Sequence, residues 1–151
     1  MKKWLCVIAA SLCLVGAAVA LGSHCDYGGY DIVLRANWGF VLPHRGTCSE
    51  LYQAYYGSGF HGDGFRYHVY QCRNTHLASM YGWLPEEHGT IFSDSFREAA
   101  EGWLDQASVP EQQRPDYDNC EYYYLSHEDN SELLVFFDKA GETLYILESF
   151  L

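Results

Sequence analysis

Positive charge is what this 151-residue chain is short of: nine Lys and Arg stand against twenty Asp and Glu, a formal net charge of −11. A surface of that sign repels phosphate backbones and anionic lipid headgroups, so neither nucleic acid nor a membrane surface is expected as a partner. Cationic partners, a divalent metal or a positively charged protein face, remain open. The chain also lacks internal repeats, low-complexity tracts and an obvious linker. No Cys-x-x-Cys pair, Gly-x-Ser-x-Gly elbow or His-Glu-x-x-His helix is present. Those absences argue against a redox motif, a zinc ribbon and the common hydrolase nucleophiles, and no cofactor is expected.

Charge of either sign is missing from Trp4 to Leu21, after Lys2 and Lys3. A positive start, an apolar run and the small residues of Ala18-Val19-Ala20 match an export signal cleaved after Ala20. An uncleaved anchor is the alternative, because 18 residues reach the lower edge of the roughly 17–25 that span a bilayer. The small-residue end and the lack of an aromatic or charged stop favour cleavage. Neither Cys13 nor Cys25 follows a small residue, which argues against a lipoprotein. The expected organisation is a signal peptide over 1–20 and a single extracytoplasmic domain over 21–151. That domain would hold seven basic and twenty acidic residues, a charge of −13 with histidines neutral.

Removing the signal leaves Cys25, Cys48, Cys72 and Cys120, an even number in an exported chain. They permit two disulfides in three connectivities. Thirteen Tyr, eight Phe and four Trp suit strands or a binding surface.

After an irregular lead-in over 22–30, Asp31–Trp38 reads as a short helix ended by Gly39. Cys48–Tyr56 fits a helix by the Thr47/Glu50 spacing and a strand by its alternation. Phe65–Cys72 alternates clearly: Phe65, Tyr67, Val69 and Gln71 against Arg66, His68, Tyr70 and Cys72. Glu86-Glu87-His88 reads as a solvated loop. From Asp94 a helix is predicted, with Ser95 and Glu98 as a capping box and Phe96, Ala99, Ala100, Trp103, Leu104 and Ala107 as one apolar stripe. Pro110 limits it and Pro115 closes a polar loop. Tyr122–Ser126, Leu133–Phe137 and Thr143–Leu147 form a meander, with Gly141 suited to a left-handed turn position. The predicted fold is α+β: an antiparallel sheet of about five strands with one long amphipathic helix packed on it.

Gly57-Ser58-Gly59-Phe60-His61-Gly62-Asp63-Gly64 sets four glycines around one imidazole and one carboxylate. A tight loop explains the pattern. A ligand site does too, with His61, Asp63, Gly62 and Gly64 as its residues, since glycines let groups approach the backbone closely. The P-loop context is absent. A metal would need a third ligand from His44, His68 or His127. His68, Cys72 and His76 cannot share an ion on a strand, where steps of four are about 13 Å apart.

The run Gly59–Gly64, followed by an aromatic strand, resembles a family of short uncharacterised bacterial exported or membrane-anchored proteins with a Gly-Phe-His-Gly-Asp-Gly motif. Trp83-Leu84-Pro85, the strand Leu133–Phe137, the turn Asp138–Gly141 and Leu144-Tyr145 look like that family's later features. The resemblance spans about residues 30–151 and implies a fold but no reaction. It favours a strand over Cys48–Tyr56. Pairing across the loop then sets Tyr56 opposite Gly64 and Cys48 opposite Cys72, which predicts a Cys48–Cys72 disulfide and leaves Cys25–Cys120 as the second. The expected function is that of an acidic exported domain, non-enzymatic, binding a protein or a small ligand. The alternative is a metal-dependent or His/Asp-based hydrolase using the 57–64 loop.

Overall fold

The computed structural model describes residues 29–43, 47–57, 64–73, 87–89 and 93–150. Helix α1 (Tyr30–Trp38) leads, followed by strands β1 (Cys48–Tyr56), β2 (Gly64–Cys72) and β3 (Glu87–Gly89). Helix α2 (Asp94–Gln106) comes next, then β4 (Cys120–Ser126), β5 (Glu132–Asp138) and β6 (Thr143–Phe150). All strand pairs are antiparallel, in the order β1-β2-β6-β5-β4-β3. The α+β class therefore holds, with five long strands and a sixth of three residues. That sixth strand is a correction: Glu87–Gly89, expected in a loop, pairs with Tyr122–Tyr124 of β4.

Both faces of the sheet are buried, which the expectation of a single packed helix did not anticipate. On one face Leu34 and Trp38 of α1 join Tyr70, Cys72, Tyr123, Leu133, Val135, Phe137, Leu144 and Ile146. On the other Ala100 and Leu104 of α2 join Tyr67, Val69, Tyr122, Leu134, Phe136 and Leu147. The period-2 alternation explains this: neighbours such as Leu134 and Val135 point to opposite faces, and each has an apolar layer waiting for it. Each such fully buried side chain contributes about 1.5–3 kcal/mol of transfer free energy.

The helix 94–106 is shorter than "long" implied, 13 residues or about 20 Å. Its cap is Ser93, whose Oγ accepts from the Phe96 N–H at 3.4 Å, not the predicted Ser95. Ser95 lies within the first turn, its Oγ 3.1 Å from that of Ser93. The chain leaves the helix before Pro110. Ser108 takes φ 55°, its N–H donates to Asp105 O at 3.0 Å, and Val109 N–H donates to Leu104 O at 2.9 Å. That 6→1 and 5→2 pair is a Schellman ending, with Val109 and Leu104 in the same apolar cluster. Among the described residues no helix is long and apolar enough to cross a membrane.

Two turn details differ from expectation. In the β5–β6 turn the left-handed residue is Glu142 (φ 51°), not Gly141. A Cβ at 141 would meet Asp138 Oδ2 at 2.6 Å, a contact that a shift of that carboxylate relieves. In the first hairpin Cys48 does face Cys72, and the two form a disulfide with Cα atoms 4.0 Å apart. The far end is shifted: Tyr56 pairs with Phe65 rather than Gly64, because a bulge at Leu51 inserts one residue into β1.

Candidate functional site

Of the four residues expected to bind a ligand, His61, Gly62 and Asp63 lie outside the described residues. Gly64 opens β2 opposite Phe150, at φ 152°. A Cβ there would meet the Tyr56 carbonyl oxygen at 2.1 Å, so close backbone approach explains this glycine. Cys120 carries a free, buried thiol in this structure, and Cys25, its expected disulfide partner, lies outside the described residues. Burial, followed by the nearby Asp138 and Asp116, pushes that thiol up to about 12. His127, considered as a third metal ligand, is 2.8 Å from Asn37 O at the end of α1 and stacks on Trp38 at 4.5 Å. Among the described residues no three His, Cys, Asp or Glu converge on a point that could hold a metal.

The structure instead assembles a polar cluster on the α1 face, between α1, β1, β2 and β6. The bulge makes it possible. Upstream of Leu51, Cys48 and Glu50 face α1; downstream, the slip by one residue turns Gln53 and Tyr55 to that side and Tyr52, Ala54 and Tyr56 to the other. Glu50 Oε1 then lies 2.6 Å from His68 Nδ1, and Tyr55 OH lies 3.3 Å from His68 Nε2. Tyr30 of α1 lies flat on the imidazole, with ring centres 3.6 Å apart.

A second carboxylate closes the cluster. Glu148 of β6 is fully buried, opposite Arg66 in the register. Its Oε2 accepts from Tyr30 OH at 2.8 Å and its Oε1 from Trp38 Nε1 at 2.7 Å. Arg66 Nε stands 3.7 Å from Oε2, and its guanidinium lies 4.2 Å over the Phe150 ring. Sequence reasoning missed Glu148, although a signal was there: it falls in phase with Leu144 and Ile146, a charge on an otherwise apolar stripe.

The electrostatics favour neutral forms around His68. Burial lowers its pKa below the ordinary 6.5, outweighing the hydrogen bond and charge of Glu50 and the charge of Glu148. With Glu50 accepting from Nδ1–H, Nε2 is left as an acceptor. Tyr55 is raised by burial and then by Glu50, so its phenol keeps its proton and can donate it to either Nε2 or Gln53 Oε1, 3.1 Å away. Tyr30 is raised by burial and by Glu148. Glu50, His68 and Tyr55 thus have the order of a catalytic relay without an activated nucleophile. His68 is 1% exposed, and any substrate would have to displace Tyr55 to reach Nε2. What the cluster does chemically is fasten α1 and the first hairpin to the sheet.

The described residues also line one depression of about 550 Å³, on the α2 side, bounded by Glu101, Glu111, Arg114, Pro115 and Asp116. Its cation is spent internally: Arg114 donates to Glu101 at 2.5 Å, to Asp105 at 2.7 Å and to the Val109 carbonyl.

What remains unengaged is the outer edge of β1. Among the described residues no strand pairs there, and Leu51, Tyr55 and Tyr56 are 57%, 58% and 50% exposed. The nine residues contain neither Lys nor Pro, the usual guards of a sheet edge. Comparison with family models, curated proteins and solved structures finds no match to this chain.

Proposed function

We propose that this chain is an exported, non-enzymatic domain that binds a protein partner by adding an extended segment of it to the edge of β1. The observation that carries this reading is the edge itself, to which no strand pairs among the described residues. A nine-residue strand presents backbone donors and acceptors beside three large, half-exposed apolar side chains. Strand addition supplies main-chain hydrogen bonds for affinity and alternate side-chain contacts for specificity. The scaffold behind the edge suits that use. The Cys48–Cys72 disulfide staples one end of β1 to β2, and the Glu50–His68–Tyr55 bonds fix its middle. A preorganised edge loses less ordering entropy when a partner docks.

Export rests on the N-terminal sequence, and the disulfide fits an oxidising compartment. Mass spectrometry of protein made by a secreting host is expected to find a mature chain beginning at Leu21; a chain beginning at Met1 would remove the cleavage claim.

The binding mode is tested by selecting from a displayed library of random ten-residue peptides and locating the enriched binders by amide hydrogen exchange. Slowed exchange confined to β1 is the expected result. Protection centred on α2, or no enrichment above an unrelated domain, would defeat the reading.

A further inference from the structure

Granting that the β1 edge takes up a strand, we propose that its occupant is a cationic segment with two consecutive basic residues, one gripped by Tyr55 and the next by Tyr56. The bulge at Leu51 is again the cause. It leaves Tyr55 on the α1 face, against His68, and Tyr56 on the α2 face, stacked on Phe65 at 5.8 Å. Phe65 in turn stacks on Trp103 at 5.7 Å, so the Tyr56 ring is backed and its outer surface left open. Successive side chains of an added strand point to opposite faces. Residues opposite Tyr55 and Tyr56 therefore place one side chain against each ring, at cross-strand distances of about 4.5–5.5 Å between Cβ atoms.

Charge selects what those two side chains are. The only formal charge on β1 is Glu50, and the chain as a whole carries −11. Its cations are largely consumed within the fold: Arg66 by Glu148, Arg97 by Asp118, Arg114 by Glu101 and Asp105, and Lys139 by Glu121. Among the described residues the cation nearest the proposed site is Arg66, the cross-strand partner of Tyr55, whose guanidinium is turned to Glu148 and the Phe150 ring. That Arg66–Phe150 contact shows the same cation-on-ring geometry within this protein. A guanidinium or ammonium over an open tyrosine face is favoured by the ring quadrupole and by the net negative charge of the chain, whereas an acidic segment is repelled. A second copy of the chain would bring a like charge of −11 to the interface, which disfavours self-pairing.

The test uses fluorescein-labelled Thr-Val-Thr-Arg-Arg-Val-Thr-Val, the same peptide with Thr-Thr or Glu-Glu in place of Arg-Arg, and an Arg-Arg version N-methylated at alternate amides. Anisotropy is read at low and moderate salt against the full mature domain. The expected order is Arg-Arg tightest, about tenfold over Thr-Thr from two exposed ring–cation contacts. Glu-Glu should be weakest, the preference should shrink with salt, and N-methylation should abolish binding. Tyr55→Leu with Tyr56→Leu should erase the Arg-Arg preference while leaving Thr-Thr binding in place.

Equal affinity for all three sequences, with loss on N-methylation, would overturn the cationic occupant and keep the edge. Binding indifferent to N-methylation, or no binding at all, would overturn the edge reading and the proposal with it. A dimer in sedimentation velocity that Leu51→Lys dissociates would overturn the proposal in favour of a second copy.

Discussion

Helix α1 is tied to its face of the sheet by hydrogen bonds to a carboxylate, while α2 meets the opposite face mainly through rings and methyl groups. On the α1 side, Glu148, His68 and Glu50 lie under or beside the helix, and Tyr30 and Trp38 reach down to Glu148. On the α2 side, the contact is Phe96, Ala100, Trp103, Leu104 and Val109 against Tyr67, Leu134 and Phe136, and the ion pairs stay at the rim. Length is not the reason, since α1 buries Leu34 and Trp38 and the longer α2 only Ala100 and Leu104; what differs is the carboxylate of Glu148 within reach of α1. The lesson is that the same sheet can close one face by area and the other by geometry. Geometry is the more fragile of the two, because a buried polar group that loses its partner keeps its desolvation cost.

The sharpest way to break the comparison is Glu148→Ala. It strands the Tyr30 hydroxyl and Trp38 indole N–H and leaves Arg66 without its carboxylate. A loss of about 3–5 kcal/mol is expected in urea unfolding. Glu148→Gln, which keeps an acceptor, should recover roughly half. A loss below about 1 kcal/mol for the alanine variant would show that packing holds α1 as well.

On the other face Arg114→Ala removes two carboxylate partners and the bonds to Val109 O, yet Asp105 is exposed and Glu101 retains the Tyr117 hydroxyl at 2.5 Å. A loss of only about 1–2 kcal/mol is expected by the same measurement. Equal costs for Glu148→Ala and Arg114→Ala would erase the distinction between the faces.

The smallest expected effect is a pH dependence confined to the α1 side. The folded pKa of His68 lies below the unfolded value of 6.5, so at acid pH the unfolded chain binds more protons. The contribution is therefore complete above about pH 6.5 and declines as pH falls from there through the folded value. The groups facing the ring are Glu50 and Tyr55 of β1, Arg66 and Tyr70 of β2, Glu148 of β6 and Tyr30 of α1. The urea midpoint should drop between pH 7.5 and 5, and His68→Gln should flatten that part of the profile. An unchanged slope in the variant would assign the acid sensitivity to carboxylates elsewhere.

Much of the fold was legible in the chain. Alternation located β2 and the final meander, the i, i+3, i+4 stripe located α2, and Gly39 marked the end of α1 through its φ of 68° and its N–H bond to Arg35 O. Caps and turns were less legible. Ser93 and Ser95 are chemically equal candidates, and only the path into the helix chooses Ser93. Gly141 looked like the left-handed residue, but that conformation falls to Glu142.

The candidate site was barely legible at all. The glycine-rich loop drew notice because its composition is unusual, whereas Glu50, His68, Tyr55, Tyr30 and Glu148 are ordinary residues until a register brings them together. The expected hairpin had the right cysteine pair but no bulge. Without the bulge Tyr55 and Gln53 would both sit on the α2 face, away from His68.

By itself, then, the sequence determined the class of fold, most of the strand periods and the acidic balance, because each depends on local period or on summed composition. Tertiary structure alone decided that both faces of the sheet are buried, that Glu148 anchors α1 and that one inserted residue at Leu51 turns Tyr55 toward His68 and Tyr56 toward Phe65. Those outcomes depend on which distant segments meet and in what register. A shift of a single residue inverts every side chain beyond it, and no local pattern records that shift.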